Sequence, residues 1–147
     1  MTDLNQKKKD YLNWNDIKNL VKKTSLKIKE YNKEYDLIIG IKNGGIIPAK
    51  LISRELNIND IDFISVKRNQ IFTSSNFPRN KKYLMIDDIY DTGKTFLTVN
   101  KFFDSFEYDY ACLVSRYRIT DNNSKIIIGE ILNHNKWIVF PWEWINI

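Results

Sequence analysis

The strongest fold signal in the chain is Tyr83-Leu-Met-Ile-Asp-Asp-Ile-Tyr-Asp-Thr-Gly-Lys-Thr95, where an apolar run leads to acidic residues and then to a glycine. The apolar run before Asp87 predicts a buried strand, and apolar residues at helical spacing from about 94 to 106 predict a helix after it. Asp87 and Asp88 are adjacent carboxylates at the end of this strand, and they repel each other unless hydroxyl donors, a cation or water accompany them. A ribose diol with Mg²⁺ nearby would supply such partners.

The residues after the acidic pair have the features of a phosphate-binding turn. Thr92, Gly93, Lys94 and Thr95 open the predicted helix, where backbone N–H groups, two hydroxyls and the helix dipole attract anions. Asp91 lies between the carboxylate pair and this turn. One loop could therefore hold the sugar diol and the 5-phosphate of a single ligand.

Two other interpretations of this segment stay open. Its end is similar to a nucleoside-triphosphate-binding loop, but that motif needs a glycine five residues before the Gly-Lys pair, where this chain has Asp88. The segment could also be a plain strand, turn and helix whose carboxylates are solvated.

The rest of the chain alternates apolar runs with segments of helical periodicity. The predicted helices are 14–34, a helix whose first turn contains Pro48 and which ends at about 57, and about 94–106. The predicted strands are 36–41, 61–66, 83–87, 110–115, 125–132 and 137–140, the last a short strand or loop. This alternation predicts an α/β fold with an open, mostly parallel sheet flanked by helices.

Ligands of such open sheets bind beyond the carboxyl ends of the strands. The loops in that position are 42–45, 67–80, 88–95 and 116–124. We predict that 67–80 is a long surface loop, because it is polar and has no clear period.

Composition sets broad limits on the class of protein. The chain has 147 residues and suits one domain, taken here as 1–147. The single cysteine, Cys112, excludes an intramolecular disulfide and a zinc cluster built on thiolates, and it is predicted to be buried and inert. His134 lies in a polar turn and is predicted to be a surface residue. No apolar run approaches the ~18 residues of a membrane span, and the polar start is unlike a secretory signal, so we expect a cytoplasmic protein with no membrane partner.

The net charge is +5, from 23 basic and 18 acidic residues. Lysine dominates the basic residues and accompanies abundant Asn and Ile, a combination that indicates composition bias more than selection for binding. Nucleic acid is therefore not the favoured partner.

Three segments together resemble the type I phosphoribosyltransferases. Tyr83–Thr95 is similar to their signature, in which a hydrophobic stretch precedes an acidic pair, two residues and Asp-Thr-Gly. Ile38–Ile58 is similar to the pyrophosphate-loop region of the bacterial and archaeal xanthine-guanine and hypoxanthine (6-oxopurine) enzymes, and Trp137–Glu143 to their base-binding tail. The resemblance spans about residues 14–143 and implies the fold of that family, with a small C-terminal base-binding hood.

The resemblance also implies a role for individual residues. It makes Asp91 the catalytic acid/base group, which faces N7 of the purine. Asp87 and Asp88 would contact the ribose of phosphoribosyl pyrophosphate; Thr92, Gly93, Lys94 and Thr95 its 5-phosphate; Lys42, Asn43, Gly44 and Gly45 the pyrophosphate; and Arg116, Trp137 and Ile138 the purine. The Mg²⁺ ligands would be Asp87 and Asp88, directly or through water, and Glu143.

The chain departs from the family pattern at two of these positions. The family usually has Arg or Lys directly before the Gly-Gly pair, where this chain has Asn43, with Lys42 one position earlier. Arg116 stands where the family has a lysine that contacts the exocyclic O6 of the base. In the family, the 42–45 loop often contains a non-proline cis peptide.

The base-site residues also have simpler interpretations. Trp137 could be a core residue, Arg116 a solvated arginine beside Arg118, and Glu143 a surface carboxylate.

The function that the resemblance implies is Mg²⁺-dependent transfer of 5-phosphoribose from phosphoribosyl pyrophosphate to N9 of a 6-oxopurine, a reaction of purine salvage. The family usually forms homo-oligomers, so a dimer or tetramer is expected. The alternative is a ligand sensor with the same fold that regulates RNA or DNA without turnover, which the charge of +5 and Asn43 would favour.

Overall fold

The computed structural model describes residues 8–116 and 125–144, except for the side chain of Trp144. The helices are α1 (Trp14–Glu30), α2 (Ile46–Leu56), α3 (Lys94–Phe102) and α4 (Pro141–Trp144). The strands are β1 (Lys9–Tyr11), β2 (Leu37–Lys42), β3 (Ile61–Lys67), β4 (Gln70–Phe72), β5 (Lys82–Tyr90), β6 (Glu107–Ser115), β7 (Ile126–Ile131) and β8 (Trp137–Val139).

Six strands form the central sheet in the order β4-β3-β2-β5-β6-β7. Neighbouring strands are parallel except β3 and β4, which pair in an antiparallel hairpin at one edge. The predicted α/β fold with a mostly parallel sheet is confirmed. The chain runs outward from β2 to β4 and then returns to β5 on the other side of β2, so the strand order reverses between β2 and β5. Loops diverge at such a reversal and open a crevice at the carboxyl ends of the strands.

The central strands contribute to two hydrophobic cores, because successive side chains point to opposite faces of a sheet. Ile38 and Leu84 pack in one cluster with the buried residues of α1 and α2. Their neighbours Ile39 and Met85 pack in the other cluster with Phe96 of α3. Strands β2 and β5 are therefore fixed from both sides, and the loops that follow them start from rigid positions.

The helices agree with the prediction in place but not in length. A capping box between Asn13 and Asp16 starts α1 at Trp14, as the pattern predicts, but the helix ends at Glu30 and not at 34. Helix α3 ends at Phe102 and not at about 106. The apolar residue Phe103 still packs in the core beyond the helix end, so the apolar spacing continues past the helix itself.

Strands β1 and β8 form a small parallel sheet of their own, in which Asp10 pairs with Ile138. The sequence did not predict β1, because the strand has only three residues and two of them, Lys9 and Asp10, are charged. His134, predicted to be a surface residue, is instead partly buried: its Nε2 lies 3.0 Å from Asp10 Oδ2, and its Nδ1 accepts the Lys136 N–H at 3.1 Å. The histidine therefore links the turn before β8 to β1.

The predicted surface loop 67–80 is partly ordered as a hairpin. Arg68 and Asn69 form its turn with positive φ angles of 52° and 61°, and β4 follows. Strand β5 also exceeds the predicted 83–87 and continues to Tyr90. The acidic pair therefore lies within the strand, and the turn starts at Asp91.

The remaining expectations concern single residues and the membrane. Cys112 is fully buried in β6, as predicted. Residues 117–124 of the predicted loop 116–124, with Arg118, lie outside the described residues. Within the described part, no helix is both long and apolar enough to cross a membrane.

Candidate active site

A cavity of about 250 Å³ opens at the carboxyl ends of β2, β3 and β5, in the crevice between β2 and β5. Its walls come from the ends of β2 and β3, from Tyr110 of β6, and from the whole segment 87–96. The predicted ribose, acid/base and 5-phosphate residues therefore line one cavity, together with Lys42. Their convergence follows from the parallel arrangement, which brings the carboxyl ends of the strands to one edge.

The Asp87 and Asp88 carboxylates are buried at the bottom of this crevice, with 8% and 9% of each residue exposed. Asp87 Oδ1 accepts the Asp88 N–H at 2.8 Å, and Asp87 Oδ2 accepts the Tyr110 hydroxyl at 3.3 Å. Asp88 Oδ1 accepts the Ile89 N–H at 2.7 Å. These neutral donors orient the two carboxylates but bring no positive charge to them.

Burial raises the pKa of the Asp87 carboxyl well above its ordinary value of 3.8, and the negative charge of Asp88 raises it further. Burial also raises the pKa of Asp88. Ionised carboxylates in this position are costly unless hydroxyl donors or a cation join them. The pair is therefore suited to a polyol, a metal ion or both.

The loop after β2 approaches the acidic pair because it contains two glycines. A Cβ on Gly44 would lie 2.0 Å from Asp88 Oδ2, and a Cβ on Gly45 would lie 2.5 Å from the carbonyl oxygens of Ile41 and Ile86. The expected non-proline cis peptide is present between Lys42 and Asn43. The backbone of this loop thus lies directly against the Asp88 carboxylate.

The turn after β5 presents the start of α3 to the cavity. Gly93 is the N-cap residue and has a φ of 85°, a left-handed conformation that favours glycine. A glycine N-cap offers no side-chain acceptor to the first N–H groups of the helix, so these groups can bind an anion. The Thr92 hydroxyl accepts the Lys94 N–H at 3.4 Å. This arrangement is suited to a phosphate.

Asp91 lies at the rim of the cavity and is bound by Arg116. The Arg116 Nε donates to Asp91 Oδ1 at 3.0 Å, and Nη2 lies 3.5 Å from Oδ2. Arg116 Nη1 donates to the Lys136 carbonyl oxygen, and its guanidinium carbon lies 5.9 Å from the ring centroid of Trp137. The side chain of Arg116 is only 8% exposed, so it is not a solvated arginine.

Trp137 and Ile138 differ in how they could meet a ligand. Trp137 is 50% exposed and is not a core residue, so a face of its indole ring is available for stacking. The Ile138 side chain is buried in the core cluster that includes α1 and α2. A ligand at Ile138 would therefore meet its backbone.

A second cavity, of about 450 Å³, lies between the 42–45 loop and α4. The residues that line it include Asn43, Gly44, Asp88 and Glu143. Asp88 also lines the first cavity, so the two cavities meet at this residue beside the 42–45 loop. Burial raises the pKa of Glu143, and the negative charge of Asp88 adds to this effect. Glu143 is exposed to solvent, as a surface carboxylate would be, and it lines the same cavity as Asp88.

The donor set of these cavities fits Mg²⁺. Carboxylate oxygens are ligands that Mg²⁺ prefers, and proteins often hold it with one or two carboxylates while waters and substrate phosphates complete the shell. Across 8–116 and 125–144, no group of three His, Cys, Asp or Glu side chains is placed to hold a metal ion alone. Asp87, Asp88 or Glu143 would consequently share the ion with a phosphorylated ligand.

Two features of the site were not predicted from the sequence. The Tyr110 hydroxyl supports Asp87 from the neighbouring strand, and Arg116 pairs with Asp91. The only sequence signal for Tyr110 is a polar atom in a strand whose neighbours are apolar. For the Arg116–Asp91 pair, the sequence shows opposite charges in the loops that follow two predicted strands. Opposite charge alone does not specify a contact.

Comparison with known proteins gives a consistent result. The family described as phosphoribosyl transferase domain matches residues 8–144. Xanthine-guanine phosphoribosyltransferase from Cereibacter sphaeroides is 30% identical over 125 residues, which cover 76% of this chain and 71% of that protein. The same enzyme from Nitratidesulfovibrio vulgaris is 33% identical over 119 residues, or 74% of this chain and 69% of that protein. The structure of a purine phosphoribosyltransferase from Pyrococcus horikoshii is similar with a TM-score of 0.70 and 30% identity, covering 91% of this chain and 93% of that one.

We expect Asp87→Asn to stabilise the ligand-free protein at pH 7 in buffer without Mg²⁺. Because folding raises the pKa of this carboxyl, the wild-type protein loses stability as the pH rises from 3.8 towards the raised value. A neutral amide removes that loss while its oxygen still accepts the Asp88 N–H. Thermal denaturation should show a higher Tm at pH 7, by roughly 2–4 °C for each ~1 kcal/mol gained.

The gain in Tm should shrink as the pH falls below 3.8, the ordinary value for the carboxyl. Asp104→Asn, which changes an exposed aspartate near the end of α3, serves as the control and should leave Tm unchanged. A lower Tm for Asp87→Asn at pH 7 would contradict the charge argument.

Proposed function

The chain belongs to the phosphoribosyl transferase domain family and is a purine phosphoribosyltransferase, and we propose that it transfers 5-phosphoribose from phosphoribosyl pyrophosphate to N9 of a 6-oxopurine: guanine, xanthine or hypoxanthine. The observation that carries this proposal is the single cavity that joins the buried acidic pair, the turn at Gly93 and the rim residue Asp91. A single ligand with a ribose diol, a 5-phosphate and a reacting anomeric carbon would present one group to each of these features.

The phosphoribosyl group would be held by the segment that follows the middle of β5. Asp87 and Asp88 would accept hydrogen bonds from the two ribose hydroxyls, which offset the cost of burying the carboxylates. Residues 92–95 would bind the 5-phosphate through backbone N–H groups at the start of α3. Both ends of the sugar phosphate are then fixed by one rigid strand–turn–helix unit.

The leaving pyrophosphate would lie against the 42–45 loop. Lys42 lines the phosphoribosyl cavity, whereas Asn43 and Gly44 line the neighbouring one, so the loop can contact pyrophosphate from both sides. Lys42 would supply the positive charge that the family usually places at the position of Asn43. A bound Mg²⁺, shared by Asp87, Asp88 or Glu143 and the substrate, would supply further stabilisation of the negative charge on the pyrophosphate.

The purine would stack on Trp137 beside the Asp91–Arg116 pair. An arginine that keeps its charge donates to an exocyclic oxo group and opposes an amino group, so it favours 6-oxopurines. Asp91 would accept the proton that leaves N7 of the purine while N9 attacks the anomeric carbon. The attack forms the N9–C1 bond and breaks the bond from C1 to the pyrophosphate.

Catalysis in this site would be mainly electrostatic and positional, because the reaction passes through an oxocarbenium-like state. Water would otherwise capture that cation. We expect the segment 67–80, next to the cavity-lining residue Val66, to close over the site and exclude water.

The alternative function, a ligand sensor that regulates RNA or DNA, has no support in these comparisons. The named relatives and the similar structure from P. horikoshii are phosphoribosyltransferases.

The direct test of the proposal is release of labelled pyrophosphate from phosphoribosyl pyrophosphate with each of four bases. Guanine, xanthine or hypoxanthine should support release, adenine should support little, and chelation of Mg²⁺ should stop it. Release with adenine alone would disprove the 6-oxopurine assignment. No release with any base would disprove the proposed reaction.

Asp91→Asn should lower kcat by ~10²–10⁴-fold, the usual range for general acid/base assistance. The amide keeps the shape of the side chain and its one oxygen can still accept from Arg116, but it removes the counter-charge of a guanidinium that is only 8% exposed. A modest fall in Tm is therefore expected, and kcat is compared at a temperature at which both proteins are folded. Binding of phosphoribosyl pyrophosphate, followed by thermal shift, should change little because Asp87, Asp88 and the phosphate turn remain. Wild-type turnover in this variant would refute the role of Asp91.

Trp137→Ala should raise the KM for the purine by about 5- to 150-fold, since stacking of a base on an aromatic ring is worth ~1–3 kcal/mol. The KM for phosphoribosyl pyrophosphate should not change. Phe102→Ala is a matched control, because Phe102 is a similarly exposed aromatic residue, at 49%, on α3. Equal purine KM values for the two variants would exclude stacking on Trp137.

A further inference from the structure

We infer that Arg116 is a positioning residue for Asp91: one guanidinium fixes the acid/base carboxylate and ties it to the strand that holds the purine-stacking tryptophan. This inference rests on the proposed function and deepens it. It assigns to Arg116 a role that a lysine at this position could not fill.

The Arg116 backbone is fixed before its side chain makes any contact. Arg116 directly follows β6, and its N–H donates to the Tyr90 carbonyl oxygen at 3.4 Å. Tyr90 is the last residue of β5, so the ends of both strands hold the arginine. With a side chain only 8% exposed, the guanidinium has little freedom to move.

The Asp91 carboxylate, in contrast, depends on this arginine. It lies in the turn after β5 and its side chain is 41% exposed. Among the described residues, every hydrogen bond given to this carboxylate comes from Arg116, through Nε to Oδ1 and Nη2 to Oδ2. Without the guanidinium the carboxylate would be free to rotate in solvent.

The same guanidinium reaches a third segment of the chain. Its Nη1 donates to the carbonyl oxygen of Lys136, the residue directly before Trp137, and its carbon lies 5.9 Å from the indole ring. The acid/base group and the stacking ring are thereby placed relative to each other by one side chain. Their sequence positions, 91 and 137, give no such link.

Only an arginine has the donor geometry for this arrangement. A guanidinium has five N–H donors in a rigid plane, of which three are directed at Asp91 and Lys136, so two remain for the oxo group of the base. A lysine ammonium is a single point charge on a flexible chain and cannot hold both carboxylate oxygens in one plane while it also reaches Lys136. Arg116 can therefore orient Asp91 and meet the purine at the same time.

The test is a double-mutant cycle of Arg116→Lys and Asp91→Asn. Arg116→Lys should lower kcat by about 10-fold or more, because a small misplacement of a catalytic group is costly. It should leave the KM for phosphoribosyl pyrophosphate within about two-fold. In the Asp91→Asn background the same change should lower kcat no further, since residues that act as a unit are not additive.

Arg54→Lys is the matched control, because Arg54 is exposed at the end of α2, and it should leave kcat unchanged in both backgrounds. If Arg116→Lys lowers the Tm so far that the variant is not folded in the assay, Arg116→Gln replaces it, with the same expected loss of additivity. Wild-type kcat in the Arg116 variant would overturn the inference. An equal fall in kcat with and without the Asp91 carboxylate would also overturn it, because Arg116 would then act independently of Asp91.

These failures are distinct from failure of the proposed function. If the wild-type protein releases no pyrophosphate with any base, the reaction itself is wrong. If the wild-type protein turns over and the two substitutions are additive, the reaction is right and only the positioning role of Arg116 is wrong.

Discussion

Two carboxylates buried side by side near the end of β5 are the constraint around which the site is arranged. The donors that reach Asp87 and Asp88 are backbone N–H groups and the Tyr110 hydroxyl, which orient the oxygens without neutralising them. The fold must therefore tolerate an unfavourable charge pair, and it does so on a strand packed between two hydrophobic cores. The packing of β5 stabilises the fold enough to offset the cost of this charge pair. The pair in turn forms a binding surface that favours hydroxyls and cations.

The topology of the sheet determines what meets this pair. Because the strand order reverses between β2 and β5, the loop after β2 and the turn after β5 border one crevice. Gly44 allows the first of these to lie against Asp88, where a side chain would collide with the carboxylate. Gly93 allows the second to start α3 at the cavity, in a left-handed conformation and without a side chain of its own that would cap the helix. Gly44 is thus required by Asp88, a neighbour that is distant in sequence, whereas Gly93 is required by the turn in which it lies.

The sequence predicts those parts of the molecule whose signals are local. The strand, turn and helix around 83–95 and the parallel sheet follow from apolar periodicity, and the structure confirms them. Strand β1 was missed because two of its three residues, Lys9 and Asp10, are charged and because the segment forms a strand only by pairing with β8, far along the chain. The pairs Asp10–His134 and Asp91–Arg116 were missed for the same reason: each depends on a fold that brings distant segments together.

The two ends of the site differ in how far the protein itself completes them. At the ribose end, the negative charge of the acidic pair has no positively charged hydrogen-bond partner among the described residues, so a ligand or cation must complete it. At the purine end, Arg116 already neutralises Asp91 and contacts the segment before Trp137. Geometry at the purine end is therefore set by the chain before a base arrives, whereas charge balance at the ribose end depends on what binds. Recognition of the base can then rely on fixed donors and acceptors, and binding of the sugar phosphate can be driven by relief of buried charge.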